Sequence, residues 1–393
     1  MQDIRGIRRR TWAEININNL EHNYNTVRQA INSDTKLCCV IKANAYGHGA
    51  IELAHIYSRM GADYLAISNV EEALQLRENG ITLPLLILGY TPPECASILA
   101  DENITQCVYS IEYARILNSY ADAANVKIKI HIKIDTGMGR IGFVCRPECH
   151  DELSYALEAC QLKHLIPEGI FTHFAVADEG ENGQTYTRLQ YQSFMYAVNY
   201  LEQSGIEFEI RHCANSATIF DYPEFQLDMV RAGIVLYGLN PSSQINKLPV
   251  LKPAMSLKTI ISHIKCITQG ESTSYGRLFI ANGSTRVATL PIGYADGLDR
   301  LNTGYKVSIG NSVAPIIGRI CMDQLMIDVT GIECDIGDVV TIFGNNANCS
   351  ADAIAHHSGT INYEVVCGVG ERVPRAYIKG EELVGWRDTI YKH

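Results

Sequence analysis

Lys42 is the residue whose setting most clearly suggests chemistry. The apolar, partly β-branched segment Leu37-Cys38-Cys39-Val40-Ile41 precedes it and reads as a buried strand. A turn containing Gly47 and Gly49 follows, and then Ala50–Ser58 at helical spacing. Lys42 therefore stands at the carboxyl end of a strand in a strand–loop–helix unit. An amine leaving an apolar wall is partly desolvated, which lowers its pKa and favours the neutral form. A neutral amine can attack a carbonyl and hold it as a Schiff base. A lone lysine at a strand mouth is ordinarily just solvated, so the reading depends on what stands beside it.

Several further candidates fall at equivalent places. Apolar runs occur at 37–42, 63–68, 84–90, 105–109, 127–135, 168–175, 206–213 and 229–237. Helix-like segments, including Asn69–Asn79, Ser110–Ala124 and Thr185–Gln203, separate them, and residues 19–31 form a helical pattern ahead of them. Eight strands alternating with helices imply an α/β fold, a parallel (β/α)8 TIM-like barrel, in which chemistry sits at the carboxyl ends of the strands. Lys42 ends the first strand, Asp135 to Arg140 follow the fifth, and His173 ends the sixth. Asn215 and Ser216 follow the seventh, and Arg231 and Gly233 lie within the eighth run.

The rhythm changes after Asn240, where Pro241, Pro249 and Pro253 bracket a connector. Short strand-like runs follow at Thr259–Ile267, Val287–Pro291, Lys306–Ile309, Ala314–Ile320, Leu325–Val329 and Val339–Phe343, with only Ala351–His357 looking helical. The expected division is a barrel over 13–240 and a mostly β C-terminal domain over 241–393, with residues 1–12 a candidate addition to the second. A chain of 393 residues suits two domains.

Composition narrows the function. The net charge of −10 argues against nucleic-acid binding. The 13 cysteines form no regular disulfide framework, which favours a reducing cytoplasm. Cys145, Cys149 and His150 lack a fourth ligand, so no metal is expected. Met1 to Arg10 has no apolar core like that of a secretory signal, and no run approaches the ~20 apolar residues of a membrane span. The 21 tyrosines suit either a polar site or plain packing.

The residues around Lys42, Val40–Gly49, resemble the pyridoxal 5'-phosphate lysine motif of the alanine racemase family. The resemblance recurs in order along nearly the whole chain: Lys133–Gly142, Phe171–Ala175, Met229–Ile234, Ser274–Gly276, Pro291–Gly297, Gly318–Gln324 and Ile361–Val365. It implies a pyridoxal phosphate enzyme racemising alanine with two bases, one per face, as a homodimer with shared sites. Lys42 would be the Schiff-base lysine and one base. Tyr275, from the partner subunit's second domain, would be the other. Free tyrosine has a pKa of ~10, so it needs help, which the family pattern supplies by joining His173 to Tyr275 and Arg231. Arg231 would face the pyridine nitrogen and leave it unprotonated, which favours racemisation over transamination.

The resemblance further assigns the phosphate to Tyr46, Ser216, the backbone of Gly233 and Ile234, and Tyr363, with Asn215 alongside. Arg140 and the backbone of Met322 would meet the substrate carboxylate, and Arg140 also the cofactor. Lys133 matches a family lysine that is often carbamylated, although pairing with an acid is an equal reading. D-alanine for peptidoglycan would be the role. Other readings are a serine racemase, a barrel-only cofactor carrier and a basic amino-acid decarboxylase. Serine-active racemase domains occur joined to membrane segments, and Arg8-Arg9-Arg10 is where such a junction would fall. Tyr363 favours alanine, and the Cys321-Met322-Asp323-Gln324 sequence favours a racemase over a decarboxylase.

Overall fold

The computed structural model describes residues 10–346 and 349–390; the segment containing Arg8 and Arg9, and residues 1–9 of the candidate addition to the second domain, lie outside these. All eight expected barrel strands form. In order they are Lys36–Val40, Tyr64–Ile67, Leu85–Ile87, Ile104–Val108, Ile128–Asp135, Leu165–Phe171, Ile210–His212 and Met229–Ala232, the last returning to pair with the first. Every ladder among them is parallel. The last two are joined by isolated backbone bonds, Arg231 N–H to Ala214 O at 3.1 Å and Asp228 N–H to Arg211 O at 3.1 Å. Helices such as Ala50–Met60, Val70–Glu78, Ile111–Ala124 and Gly180–Gln203 alternate with the strands. Asn69 and Ser110 cap two of them by accepting the N–H three residues on, which fixes where each helix starts. The 180–203 helix begins five residues before the 185 expected from its apolar spacing, because its first turn is polar and glycine-containing.

The strand Ile128–Asp135 explains how charged groups enter the barrel. Its sequence alternates Ile with Lys, His, Lys and Asp, so one face supplies apolar packing while His131 and Lys133 are buried on the other. A Cβ on neighbouring Gly169 would stand 2.6–2.8 Å from the His131 ring. Glycine there is what lets an imidazole occupy the interior.

The second domain is built on a ten-stranded sheet. Thr11–Asn16 lies within it, antiparallel to Met255–Ile260 and parallel to Arg375–Lys379. Residues 13–16, placed at the start of the barrel by the expected division, thus pair in the other domain. The expected single run 259–267 is two strands, Met255–Ile260 and His263–Ile267. At the corner Ile261 N–H bonds to Asp338 O while Ser262 N–H bonds to Thr289 O, so the chain leaves one neighbour for another. A second helix, Asn362–Cys367, also forms, too short to show a helical period. A separate two-stranded hairpin, Ser272–Thr273 with Phe279–Ile280, carries Tyr275 at its tip.

Candidate active site

Lys42 emerges where the first barrel strand stops. Residues 43 to 46 then take φ of 51° to 53°, so four consecutive non-glycine residues are left-handed. Such geometry costs roughly 1–2 kcal/mol per residue, or about 4–8 kcal/mol for the turn. Its own bonds offset part of this: Ala45 N–H to Ile41 O at 2.8 Å, Gly47 N–H to Ala43 O at 3.0 Å and Gly49 N–H to Asn44 O at 2.9 Å. Glu72 accepts from Ala43 N–H at 2.7 Å and from Ser68 N–H at 2.8 Å, tying the turn to the next strand mouth. Strain of this kind persists where surrounding structure over-determines it, commonly at functional sites. The Lys42 amine has no hydrogen-bond partner among the described residues. Burial first, and Arg140 next, lower its pKa, which favours the nucleophilic form.

Arg231 is the organising group of the interior. It is 4% exposed and faces backbone carbonyls and imidazoles instead of a carboxylate. Its terminal nitrogens donate to Thr172 O at 2.8 Å, Cys213 O at 3.1 Å and His212 O at 3.2 Å. They also lie 2.7 Å from His212 Nδ1 and 3.3 Å from His173 Nδ1. Nε alone has no acceptor among the described residues, and it is not sealed in the interior. Burial lowers the Arg231 pKa to about 10, so it stays cationic at neutral pH.

Because a guanidinium only donates, it fixes the tautomers behind it. His212 presents its Nδ1 lone pair to Arg231 and carries its proton on Nε2. That proton goes to His131 Nδ1, 2.8 Å away, so His131 is protonated on Nε2, which lies 3.3 Å from Glu168 Oε2. Lys129 closes the chain at 2.7 Å from Glu168 Oε1. Burial and then Arg231 hold His212 well below the usual histidine range, and burial lowers His131 as well. Burial alone would raise Glu168, but His131 and Lys129 hold it down to about 2. Both imidazoles are therefore neutral, and the charges sit at the two ends of the chain.

The expected anion site is a cradle of donors around Gly233. Its N–H lies 2.9 Å from Ser216 Oγ, and a Cβ there would stand 3.0 Å from the Tyr46 hydroxyl and 3.6 Å from Ser216 Oγ. Ile234 is buried beside it. The Tyr363 ring lies 6.1 Å from that of Tyr46. The Asn215 side-chain oxygen accepts from Ala217 and Thr218 N–H at 3.1 Å each, so it shapes the turn that presents Ser216.

At the fifth strand, Lys133 is buried with its amine 5.1 Å from the Phe171 ring centre, and no acid pairs with it among the described residues. Burial first and Arg231 next lower its pKa to about 7. Asp135 accepts from Gly137 N–H at 2.9 Å and Gly139 N–H at 3.0 Å, shaping the loop that leaves Arg140 exposed. Burial and then Arg231 hold His173 well below its ordinary range. Its Nδ1 faces Arg231, but no hydrogen bond joins it to Tyr275 in this chain. Tyr275 is 69% exposed and Met322 is 53% exposed, both on the second domain. Sequence reasoning missed Glu72, His131, His212 and Glu168; the alternation over 128–135 was the one available signal.

The described residues contain no group of three or more His, Cys, Asp or Glu side chains arranged to hold a metal ion, and no helix among them is long and apolar enough to cross a membrane. The arrangement defines a two-domain barrel protein whose strand ends carry a desolvated lysine amine, a buried guanidinium and a glycine flanked by two hydroxyls. Comparison with known proteins makes this specific. Residues 15–241 match the alanine racemase N-terminal domain and residues 254–377 the alanine racemase C-terminal domain. The alanine racemase of Clostridium tetani is 45% identical over 388 residues, covering 97% of this chain and 99% of that one. The solved alanine racemase of Clostridium difficile superimposes with a TM-score of 0.93 at 42% identity, covering 98% and 100% of the two chains. That of Bacillus anthracis, with bound L-Ala-P, gives 0.92 at 35%, covering 98% and 99%. The chain belongs to the alanine racemase family, and is an isomerase.

Proposed function

We propose that this chain interconverts L- and D-alanine with pyridoxal 5'-phosphate carried on Lys42, in the cytoplasm, and so supplies D-alanine for peptidoglycan. The reading rests chiefly on one observation: the desolvated, unpaired Lys42 amine shares its strand-end face with Arg231, whose Nε is left over once the interior has taken its other nitrogens. The residues fit the cofactor. The space a Cβ at Gly233 would fill, between Tyr46 and Ser216, suits a phosphate, with Ile234 N–H and Tyr363 adding donors. The Arg231 Nε–H suits a ring nitrogen that accepts and stays unprotonated. When bound, the cofactor supplies a conjugated electron sink that acidifies the substrate Cα–H.

The chain's own groups then divide the work. The Lys42 amine holds or returns a proton on one face of Cα. The Tyr275 hydroxyl does so on the other. Neutral His173, with Nδ1 turned to Arg231, keeps its Nε2 proton to offer the Tyr275 oxygen. Arg140 and the Met322 N–H hold the carboxylate. Lys133, with a pKa of about 7, is half neutral at that pH, and only a neutral amine adds carbon dioxide to form a carbamate, releasing one proton. The resulting anion would steady Arg140. Because Tyr275 and Met322 project outward on the second domain, a second copy of the chain would supply them, making a homodimer with shared sites.

The test is a D/L conversion assay on alanine and on serine, with borohydride trapping of the cofactor and peptide mapping. Label on Lys42 and turnover of alanine well above serine are expected. Label on another lysine removes the assignment of Lys42; faster turnover of serine removes alanine as the substrate.

A further inference from the structure

The left-handed turn after Lys42 is gripped from a direction that the catalytic reading does not use. Arg375, in the strand Arg375–Lys379 of the same chain's second domain, is 5% exposed and faces backbone carbonyls. Its Nε donates to Gly47 O at 2.9 Å, and its other nitrogens to Gly370 O at 2.7 Å, Val373 O at 2.6 Å and Val369 O at 2.7 Å. Two residues on, the Tyr377 hydroxyl lies 3.1 Å from both His48 O and Glu52 Oε2.

The two glycines of the turn record the same contact. A Cβ on Gly47, at φ 81°, would stand 2.2 Å from Val366 O, and a Cβ on Gly49, at φ 101°, would stand 1.9 Å from the Tyr377 hydroxyl. Both positions need glycine for their backbone angle, and both have their side-chain space filled by the second domain. Glu72 secures the start of the turn from the barrel. Its far end, Gly47 and His48, is held by side chains that reach across from the second domain.

We propose that Arg375 and Tyr377 are positioning residues for Lys42: the second domain clamps the left-handed turn of its own chain and so sets where the amine stands. The consequence for catalysis rests on the reading of Lys42 as the cofactor lysine; the clamp itself does not. A packing role alone would stabilise the fold as a whole. A clamp acts locally, on the turn and on the placement of the amine, and misplacing a reacting group by a fraction of its reach lowers turnover more than binding.

Tyr377→Phe keeps the ring and removes the hydroxyl contacts. Hydrogen–deuterium exchange read by mass spectrometry on cofactor-free protein is expected to quicken about tenfold in the 41–50 peptide, with the helices of the barrel unchanged. In cofactor-loaded protein kcat should fall about tenfold with KM altered less than twofold. Arg375→Met should do the same more strongly, and if it fails to fold, Tyr377→Phe decides. Unchanged exchange in the 41–50 peptide, or faster exchange spread evenly over the chain, overturns the clamp. If the wild-type protein carries no cofactor on Lys42, the functional reading fails, while the exchange measurement still decides the clamp.

Discussion

The barrel and the second domain each carry part of the candidate site, in contrasting states. Arg231, Lys133 and His173 have their positions set by neighbouring strands, and burial lowers all three pKa values. Tyr275 sits at the tip of a two-stranded hairpin, where Ser274, Gly276 and Arg277 have φ of 63°, 71° and 50°. Near it Ser274 Oγ donates to Arg319 O at 2.5 Å, which ties the hairpin to the segment just before Met322 while Tyr275 and Met322 both stay exposed. One region is preorganised within the chain; the other is presented outward. A buried cation without a partner acid is costly unless something uses it. An exposed tyrosine costs little and gains a role only when another surface meets it.

The largest test of this contrast is complementation. Lys42→Ala and Tyr275→Phe chains should each lose activity by about 10³-fold or more, since each removes one of the two proposed bases. Mixed and allowed to exchange, random pairing puts about half of the molecules in mixed dimers, each with one site holding both bases, so recovery should approach about a quarter of wild type. No recovery, with mixed dimers confirmed by mass spectrometry, means that both bases come from one chain.

A smaller change sharpens the barrel side. On the proposed reading, Arg231→Glu puts an acceptor where a permanent donor stood and would allow the cofactor's ring nitrogen to be protonated. Racemisation should fall about 10²- to 10³-fold, with transamination rising as a share of turnover. Arg231→Lys keeps the charge but cannot span the same carbonyls, and should lose rate without that change of product. An unchanged product ratio in Arg231→Glu would show that the residue does not face the nitrogen.

The two regions were also unequally legible. The barrel was readable because strands buried on both faces give continuous apolar runs, and the fold puts strand ends on one face. The alternation Ile-Lys-Ile-His-Ile-Lys-Ile-Asp even carried the inward charges, although not the His212–His131–Glu168 chain, which joins three strands. Thr11 and Trp12 fell within the candidate addition to the second domain, but Ala13–Asn16 was not legible there because its partner Met255–Ile260 lies about 240 residues away in sequence. The left-handed run Ala43-Asn44-Ala45-Tyr46 has no local signal, since only Asn among these residues favours that region. Arg375 could not be read either: its partners are backbone carbonyls, which sequence does not distinguish.

The smallest expected effect concerns Lys133, where burial and charge can be separated by pH. Its folded pKa of about 7 lies below the unfolded value near 10.4. Below pH 7 both states bind the proton, and the fold bears the full cost of a second buried cation near Arg231. Between about 7 and 10.4 the unfolded chain binds more protons than the folded one, so stability rises with pH. Above both values the cost is gone. Lys133→Met removes this titration. In carbon-dioxide-free buffer and at fixed protein concentration, urea midpoints should show the variant more stable than wild type at pH 6, by a few kcal/mol at most, with the gap closing toward pH 10. Added bicarbonate should then stabilise wild type alone, with a carbonyl signal from labelled carbon dioxide on Lys133. An equal pH slope in the two proteins would mean that Lys133 keeps its ordinary affinity for protons, and the interior would not be the desolvated half of the site described above.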